Sequence, residues 1–382
     1  MTVRSALVLF LLVSPALAAE PPPVPRIESV VPSPRQPQET DPATIWYDDF
    51  NGPEKAYTES SGGPDEKESY GGGGKSVRCL YEQGQRGKGN RKVFFGDAPT
   101  GKVVRKGEKF DDVYWRIYVK HQPGWTGGPA KMSRATSIVS PRWNQAMIAH
   151  VWGSTDRLTL DPASGVRGGD VVTRQYNDFA SLRWLGNKPA AQFPIHSAAE
   201  SGWWVCVESR AKLNTPGRKD GLNQLWIDGR LEAERKNLDW RGSYAGHGVN
   251  AVFLEAYWNE GSPVTQSRWY DNFIISTKPI GPVTCPPIPV LIRTAWPGPG
   301  PTPAWEAQLS ADPEGRTVVW QSRPQTSDRV CADARAGAFS GPLAGKTALA
   351  AGATYFCRIR QQAGGTWSDW SRWHQPFVAE GR

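Results

Sequence analysis

The sequence predicts an all-β protein, a jelly-roll sandwich followed by a smaller β-sandwich. The chain of 382 residues holds 40 glycines and 33 prolines, which interrupt regular structure and separate short strands. Apolar residues alternate with polar ones at period two over most of the chain, which is the pattern of strands with one buried face. Stretches with a 3.6-residue apolar period and helix caps are missing. The 18 tryptophans predict either an aromatic core or a surface that stacks on flat ligands.

The first nineteen residues have the features of a secretory signal. Arg4 supplies the positive end, residues 6–17 are mostly apolar, and Ala16-Leu17-Ala18 is a small-x-small cleavage site. No cysteine follows that site, and no later apolar run approaches the roughly 18 residues of a membrane span. We therefore expect a secreted protein, extracellular or periplasmic, without a lipid anchor or a membrane span.

Proline-rich breaks divide the rest of the chain. Residues 20–43 contain eight prolines and predict a linker, and a second proline cluster predicts another linker at 282–288. Between them lies a body, residues 44–281, and after them a module, residues 289–382. Both lengths suit β-domains.

Alternation predicts the strands of the body. Asp228-Gly229 joins two of them as a two-residue hairpin turn. One face of each strand is apolar and the other is charged or aromatic, as in antiparallel sheets with one wet face. We expect one sheet to bend into a concave groove. The predicted strands are 113–120, 143–152, 203–213, 222–227, 231–235, 249–258 and 267–276.

The charge balance favours an acidic partner. With 45 Lys and Arg against 37 Asp and Glu, the net charge is +8. Nucleic-acid binding usually concentrates such charge in a stripe, and this chain has no run of five basic residues. The diffuse charge fits an anionic polysaccharide better, and we expect no nucleic-acid partner.

Two stretches of the body resemble a known family. Residues 203–217 read WWVCVESRAKLNTPG and residues 220–229 read DGLNQLWIDG, while 46–50 (WYDDF) and 270–273 (YDNF) also fit. The pattern resembles the concanavalin A-like jelly-roll polysaccharide lyases: glucuronan lyase, the family 14 alginate lyases and a fungal cellulose-induced secreted relative. The resemblance covers roughly residues 44–280. It implies cleavage of a uronic-acid polymer by β-elimination.

The resemblance also implies a structural calcium ion. Some members hold one between the first and last strands, where this chain has Asp48, Asp49 and Asp271. Carboxylate oxygens suit Ca²⁺. Alternatively, Asp48 or Asp49 ends a strand and caps a turn.

Elimination requires neutralisation of the substrate carboxylate and a proton-transferring base and acid. His150 is equally compatible with a histidine of the core, and strand period puts it opposite Gln145 unless a bulge intervenes. Lys131 is a further cation among the available groups. The predicted catalytic residues are Tyr257, His150, Arg210 and Gln145. The predicted substrate-binding residues are Arg116, Tyr118, Arg134, Glu208, Lys212, Trp226 and Glu255.

Two other functions remain open. A non-catalytic carbohydrate-binding protein would use Trp204, Trp226 and Trp258 as stacking platforms. A glycoside hydrolase needs two carboxylates across the scissile bond, and the E-x-D-x-x-E signature of such jelly rolls is missing. No G-x-S-x-G motif supports a serine nucleophile.

The C-terminal module resembles a fibronectin type III domain. Tyr355 stands two residues before Cys357, as at a sandwich corner, and residues 367–371 read WSDWS, similar to cytokine-receptor modules. Arg358 and Arg360 share a strand face and are expected to stack between the tryptophans. Of five cysteines, at least one lacks an internal partner, and no C-x-x-C metal motif occurs. Cys331–Cys357 is the favoured disulfide.

Overall fold

The computed structural model describes residues 24–37, 39–186, 188–296, 298 and 300–381. The predicted secretory signal lies outside these residues. Apart from the three short 3₁₀ helices Tyr70–Gly72, Ala198–Glu200 and Gly341–Leu343, the regular structure of the described residues is β-strand. In this part of the chain no helix is long and apolar enough to cross a bilayer.

Nineteen strands span residues 27–276. In chain order they are β1 (Ile27–Val30), β2 (Thr44–Asp48), β3 (Glu59–Ser60), β4 (Pro64–Asp65), β5 (Ser76–Tyr81), β6 (Arg91–Phe95), β7 (Val103–Val104), β8 (Asp112–His121), β9 (Lys131–Ile138), β10 (Gln145–Ser154), β11 (Arg157–Ser164), β12 (Val166–Arg167), β13 (Asp170–Val171), β14 (Arg183–Trp184), β15 (Trp204–Lys212), β16 (Gly221–Ile227), β17 (Arg230–Leu238), β18 (Ala251–Tyr257) and β19 (Gln266–Ser276).

Nine more strands follow the body. They are β20 (Thr284–Cys285), β21 (Val290–Arg293), β22 (Ala304–Ser310), β23 (Val318–Ser322), β24 (Arg329–Cys331), β25 (Gly337–Phe339), β26 (Thr354–Ala363), β27 (Thr366–Trp367) and β28 (His374–Ala379).

Two sheets form the body. The first sheet has the order β14-β11-β10-β9-β18-β6-β3, with β7 beside β6. The second sheet has the order β17-β16-β15-β8-β19-β5-β4, with β2 beside β19. Side chains of alternate residues from both sheets, such as Met147 and Leu254 from the first and Trp115 and Val205 from the second, fill one core. The predicted all-β jelly-roll sandwich is confirmed.

The hairpin predicted at Asp228-Gly229 joins β16 to β17. Ile227 and Arg230 form the closing pair. Asp228 has φ 47° and Gly229 has φ 74°. Both central residues are therefore left-handed, as a type I′ turn requires, and glycine occupies one of them without a Cβ penalty.

A smaller sandwich follows, and both predicted linkers contribute strands to it. Its sheets have the orders β20-β28-β26-β22-β23-β25, with β27 beside β26, and β1-β21-β24. Strand β1 lies in the proline-rich segment predicted as a linker and pairs with β21, while β20 pairs in parallel with β28. Ile27 and Val30 are fully buried, so their apolar burial stabilises a strand between the prolines.

The body and the smaller sandwich share an apolar interface. Tyr118, Trp204, Cys206 and Trp269 on the second sheet belong to the same buried cluster as the core of the smaller sandwich. The Gln375 amide donates to the Trp204 carbonyl oxygen across this interface. The two parts are therefore packed together, in contrast to the predicted loosely linked modules.

The predicted Cys331–Cys357 disulfide is not formed. All five cysteines are free thiols. Cys331 is exposed on β24, whereas Cys357 is buried on β26 of the other sheet, where its thiol contacts the Gln375 carbonyl oxygen at 3.6 Å. The two cysteines thus belong to different sheets of the sandwich.

The predicted cation–π stacking is present in the smaller sandwich. The Arg360 guanidinium lies 4.6 Å from the ring centroids of both Trp367 and Trp370. Arg358 lies 4.7 Å from the Trp370 ring and 4.5 Å from the Trp373 ring. The resulting ladder alternates three tryptophans with two arginines, one layer more than the sequence predicted.

Candidate functional site

The predicted site residues separate onto two surfaces. The outer face of the first sheet carries one group, and the outer face of the second sheet carries the other. Because the core lies between the sheets, these two outer faces point in opposite directions. The prediction of one shared groove is therefore wrong. On the first sheet and its edge are Lys131, Arg134, Gln145, His150, Glu255 and Tyr257, and on the second are Arg116, Tyr118, Glu208, Arg210, Lys212 and Trp226.

Three residues of the second sheet bind the chain itself. The Glu208 carboxylate accepts hydrogen bonds from the backbone N–H groups of Ile280 (2.9 Å) and Gly281 (2.8 Å). Arg116 donates to the Gly281 carbonyl oxygen at 3.1 Å. The Tyr118 hydroxyl accepts from the Val283 N–H at 2.9 Å. These side chains anchor the segment that leads into the smaller sandwich, so they are not free for a substrate.

Arg210 is already neutralised on this face. It donates to both oxygens of Asp112, with Nε–Oδ1 2.8 Å and Nη2–Oδ2 2.7 Å. Lys212 pairs with Asp112 in the strand register. Trp226 stacks on Tyr114 with ring centroids 6.4 Å apart. On this face the charge of Arg210 is therefore neutralised by Asp112, and Trp226 is packed against Tyr114.

The first sheet holds a buried ion pair beneath its outer face. Arg134 and Glu255 form a two-point contact, with Nε–Oε2 at 3.1 Å, and their side chains are almost entirely buried. Arg134 also donates to the Asn177 side-chain oxygen at 2.7 Å. The Asn177 N–H donates to Gln145 Oε1 at 2.9 Å. Gln145 therefore positions Asn177, and through it Arg134.

A bulge brings Gln145 to the same side as His150. The register between β10 and β9 shifts between Gln145 and Met147. The Gln145 amide consequently donates to the Thr136 hydroxyl at 3.1 Å, on the outer face. The sequence allowed this arrangement only if a bulge intervened, and the bulge is present.

His150 lies in the floor of this face. Its Nδ1–H donates to the Asp161 carbonyl oxygen at 2.9 Å, and its Nε2 is buried without a partner among the described residues. Burial, together with the charge of Arg134, holds the pKa of His150 well below its usual range, so the ring is neutral. The Trp152 ring covers it at 4.0 Å between centroids. These contacts favour the alternative of a structural histidine.

Lys131 and Tyr257 lie together on the first sheet, next to the Arg134–Glu255 ion pair. They are partners in the β9–β18 register, next to an irregularity in β18. Lys131 Nζ lies 4.5 Å from the Tyr257 ring centroid, and the Arg86 guanidinium lies 5.3 Å from the same ring. Burial lowers the pKa of Lys131, with Glu255 opposing this shift and Arg134 and Arg86 adding to it. Two cations therefore lie over the ring of Tyr257.

Aromatic side chains continue this surface. Phe179 and Trp184 are 38% and 40% exposed and stack with ring centroids 6.1 Å apart. Trp204 and Trp258, which the sequence offered as platforms, are buried. We call Lys131, Tyr257, Arg86, Trp152, Phe179 and Trp184 the Lys131–Tyr257 cluster. Arg86, Phe179 and Trp184 were not predicted from the sequence, because they lie on irregular segments or a very short strand, where no alternation marks them.

The carboxylates predicted to bind calcium are engaged in hydrogen bonds. Asp48 accepts from the Phe50 N–H (2.9 Å) and the Tyr57 hydroxyl (2.6 Å). Asp271 accepts from the N–H groups of Tyr70 (2.7 Å) and Asn272 (2.6 Å). Asp49 accepts from the N–H of Asn51, two residues on, as a turn cap does. The described residues contain no cluster of three or more potential metal ligands. Calcium therefore stays a prediction.

Neither a family model nor a curated protein matches the chain. Among solved structures, the chain is similar to an endo-β-1,4-glucuronan lyase from the fungus Trichoderma reesei, with 15% identity and a TM-score of 0.42, over 62% of this chain and 96% of that one. It is similar to alginate lyase vAL-1 from Chlorella virus, with 12% identity and a TM-score of 0.40, over 58% and 91%. It is also similar to the PL-14 alginate lyase from Aplysia kurodai, with 15% identity and a TM-score of 0.38, over 62% and 99%.

Proposed function

We propose that this protein is a secreted polysaccharide lyase that binds an acidic, uronic-acid-containing polymer at the Lys131–Tyr257 cluster and cleaves it by β-elimination. The observation that carries the proposal is that two cations, Lys131 and Arg86, lie over the phenol ring of Tyr257. Exposed aromatic rings lie beside it on the same face.

The charges of Lys131 and Arg86 are not paired with a carboxylate of the described residues. Arg134, by contrast, is neutralised by Glu255. A uronate carboxylate would therefore gain an ion pair there without displacing an internal one. Because Lys131 is mostly buried, that contact would be screened less than a surface pair. Phe179 and Trp184 would stack on the apolar faces of neighbouring sugar rings.

The same groups fit the chemistry of elimination. The proton next to the substrate carboxylate becomes acidic when that carboxylate is neutralised, which we assign to Lys131 and Arg86. As that proton leaves, a carbon–carbon double bond forms, the glycosidic carbon–oxygen bond breaks, and the departing oxygen takes up a proton. We assign both transfers to the Tyr257 hydroxyl as a shuttle, which accepts the first proton as phenolate and donates one to the departing oxygen, and which the substrate must reach within hydrogen-bond distance. The lowered pKa of Lys131 makes it a second candidate base. We assign a structural role beneath the cluster to Arg134, Glu255, Gln145 and His150.

A non-catalytic carbohydrate-binding protein is the second candidate. The exposed pair Phe179 and Trp184 favours it, because stacked aromatic rings bind sugars without any proton transfer. This candidate uses the same face of the first sheet and predicts binding without product.

The test is the growth of ultraviolet absorbance from an unsaturated product when the protein is mixed with glucuronan, alginate or a heparin-like polymer. The lyase proposal expects product with at least one polymer, and expects the Arg210→Ala variant to match the wild type. Binding without product from any polymer would replace it with the second candidate. Neither binding nor product would contradict both.

A further inference from the structure

A second group of polar side chains lies inside the body, between the two sheets. In the second sheet, Arg268 of β19 pairs with His121 of β8 on one side and with Cys79 of β5 on the other. Directly paired residues of neighbouring strands point to the same face. Arg268 is fully buried and His121 is 1% exposed.

Aromatic contacts enclose this group. The Arg268 guanidinium lies 5.5 Å from the Tyr81 ring, and Trp125 contacts both Tyr81 (5.7 Å between centroids) and His121 (4.6 Å). His196 lies edge-on to His121 at 5.1 Å. We call Arg268, His121, His196 and Tyr81 the internal basic cluster.

Many polar atoms of this cluster are unsatisfied. Among the described residues, no nitrogen or oxygen partner within the chain reaches Arg268 Nε and Nη1, His121 Nε2, both ring nitrogens of His196, or the Tyr81 hydroxyl. The Cys79 thiol lies beside the guanidinium of Arg268, but sulfur is only a weak acceptor. Arg268 Nη2 alone is satisfied, by the carbonyl oxygens of Glu255 (2.7 Å) and Lys131 (3.4 Å). Buried polar groups are normally paired, and a concentration of unpaired donors indicates a missing partner.

Among the residues that the structure describes, no carboxylate forms a salt bridge with Arg268. Arginine stays protonated in proteins, and the carboxylate of Glu255 is bound by Arg134. Cys79, the other neighbour, is a thiol whose pKa burial raises to about 11. The tyrosine rings that face the guanidinium, at 4.8 and 5.5 Å, supply only a quadrupole. A buried cation without a counter-charge is costly, and water alone would not neutralise it.

We propose that the internal basic cluster binds a small monovalent anion, with chloride as the abundant candidate. The guanidinium would supply the charge, and the neutral imidazoles and the Tyr81 hydroxyl would donate further hydrogen bonds. Enclosure by Trp125 and Tyr81 favours a small ion over a carboxylate or sulfate. Through Arg268 Nη2 the ion would stabilise the backbone of Lys131 and Glu255, but the inference does not depend on the proposed lyase activity.

Thermal unfolding in matched salts tests the proposal in solution. In sodium chloride or bromide, compared with sodium gluconate at equal ionic strength, we expect a saturable rise in Tm of a few degrees. The Arg268→Met variant should lose this dependence. Arg116→Met, which removes another fully buried arginine of the body, should keep it because Arg116 is bonded to carbonyl oxygens elsewhere.

A crystal of the wild type grown in bromide tests the position. The proposal expects an anomalous bromine peak in contact with the Arg268 guanidinium. A water network there without bromine, or an equal Tm in all three salts, would overturn the proposal. If Arg268→Met fails to fold, two measurements still test the proposal. One is the bromide map of the wild type, and the other is the salt series of His196→Phe, which should bind halide more weakly.

Discussion

A charged side chain is available to a substrate only if no opposite charge within the chain already neutralises it. Arg134 is fully buried and forms an ion pair with Glu255, and Arg210 forms one with Asp112, so the charge of each arginine is already neutralised. Lys131 is also largely buried, but its neighbours are the rings of Tyr257 and Trp152. The cation that we propose for substrate binding is therefore the one packed against aromatic rings rather than against a carboxylate.

Replacing Tyr257 with phenylalanine removes one hydroxyl and keeps the ring that Lys131 and Arg86 contact. We expect polymer binding and Tm to stay at the wild-type level, while elimination falls by a factor of at least about 100, the typical contribution of a proton-transfer group. Product absorbance and a binding isotherm measure the two effects separately. A variant that retains full lyase activity would remove Tyr257 from the mechanism.

Replacing Glu255 with glutamine leaves the Arg134 charge buried without its counter-charge. We expect the free energy of unfolding to fall by about 3 kcal/mol, the usual cost of breaking a buried pair from one side. Denaturant unfolding measures it. The double variant Arg134→Met, Glu255→Leu should recover much of the loss. A loss below about 1 kcal/mol in the single variant would show that water reaches the pair.

For individual strands, the alternation of apolar and polar residues predicted where each strand lies in the sequence. It did not predict which other segments pack on the polar face of a strand. Strand 113–120 is β8, as predicted, and its residues Trp115 and Ile117 face the core. Its polar side faces segment 280–283 instead of solvent, which no local pattern reveals because the contact joins distant parts of the chain. Strand β1 was missed for a related reason: the surrounding prolines dominate the composition, while its pairing partner lies more than 250 residues later.

Hydrogen bonds of a neutral histidine link β1 to the smaller sandwich. His374 Nε2 accepts the Ile27 N–H at 2.9 Å, and its Nδ1–H donates to the Arg372 carbonyl oxygen at 2.8 Å. Burial, with the charge of Arg26 adding to it, lowers the pKa of His374 to about 3. The unfolded chain binds this proton near pH 6.5, so the stabilisation is complete above pH 6.5 and is lost as pH falls towards 3.

The His374→Gln variant tests this fastening. Glutamine can still accept the Ile27 N–H but does not titrate, so we expect lower stability at pH 7 and a smaller fall of Tm between pH 7 and pH 4.5 than in the wild type. Burial raises the pKa of Asp228 to about 6, so this residue stabilises the fold more as pH falls, opposite to His374. Because Asp228 is present in both the wild type and the variant, its contribution cancels when their Tm values are compared. Parallel Tm–pH curves would contradict the assignment.

For the whole molecule, the described chain behaves as two sandwiches with a common interface. The two proline-rich breaks in the sequence predicted linkers on either side of the body. The structure instead buries Tyr118, Trp204 and Trp269 against the smaller sandwich and closes that sandwich with β1.

Deletion of residues 283–382 should therefore damage the body. It would expose the apolar side chains of the interface and strand β1, and exposed patches of this kind cause aggregation. We expect an aggregated or much less stable product by size-exclusion chromatography and thermal unfolding. A monodisperse truncation with the Tm of the wild type would restore the prediction of independent modules.

The position of the polymer site is the central claim, and an affinity measurement tests it most directly. Binding of an acidic oligosaccharide should weaken at least tenfold, about 1.4 kcal/mol, in Lys131→Met and in Trp184→Ala. It should be unchanged in Arg210→Ala, on the opposite face. Loss of affinity in Arg210→Ala with wild-type binding in Lys131→Met would place the site on the second sheet and contradict the account.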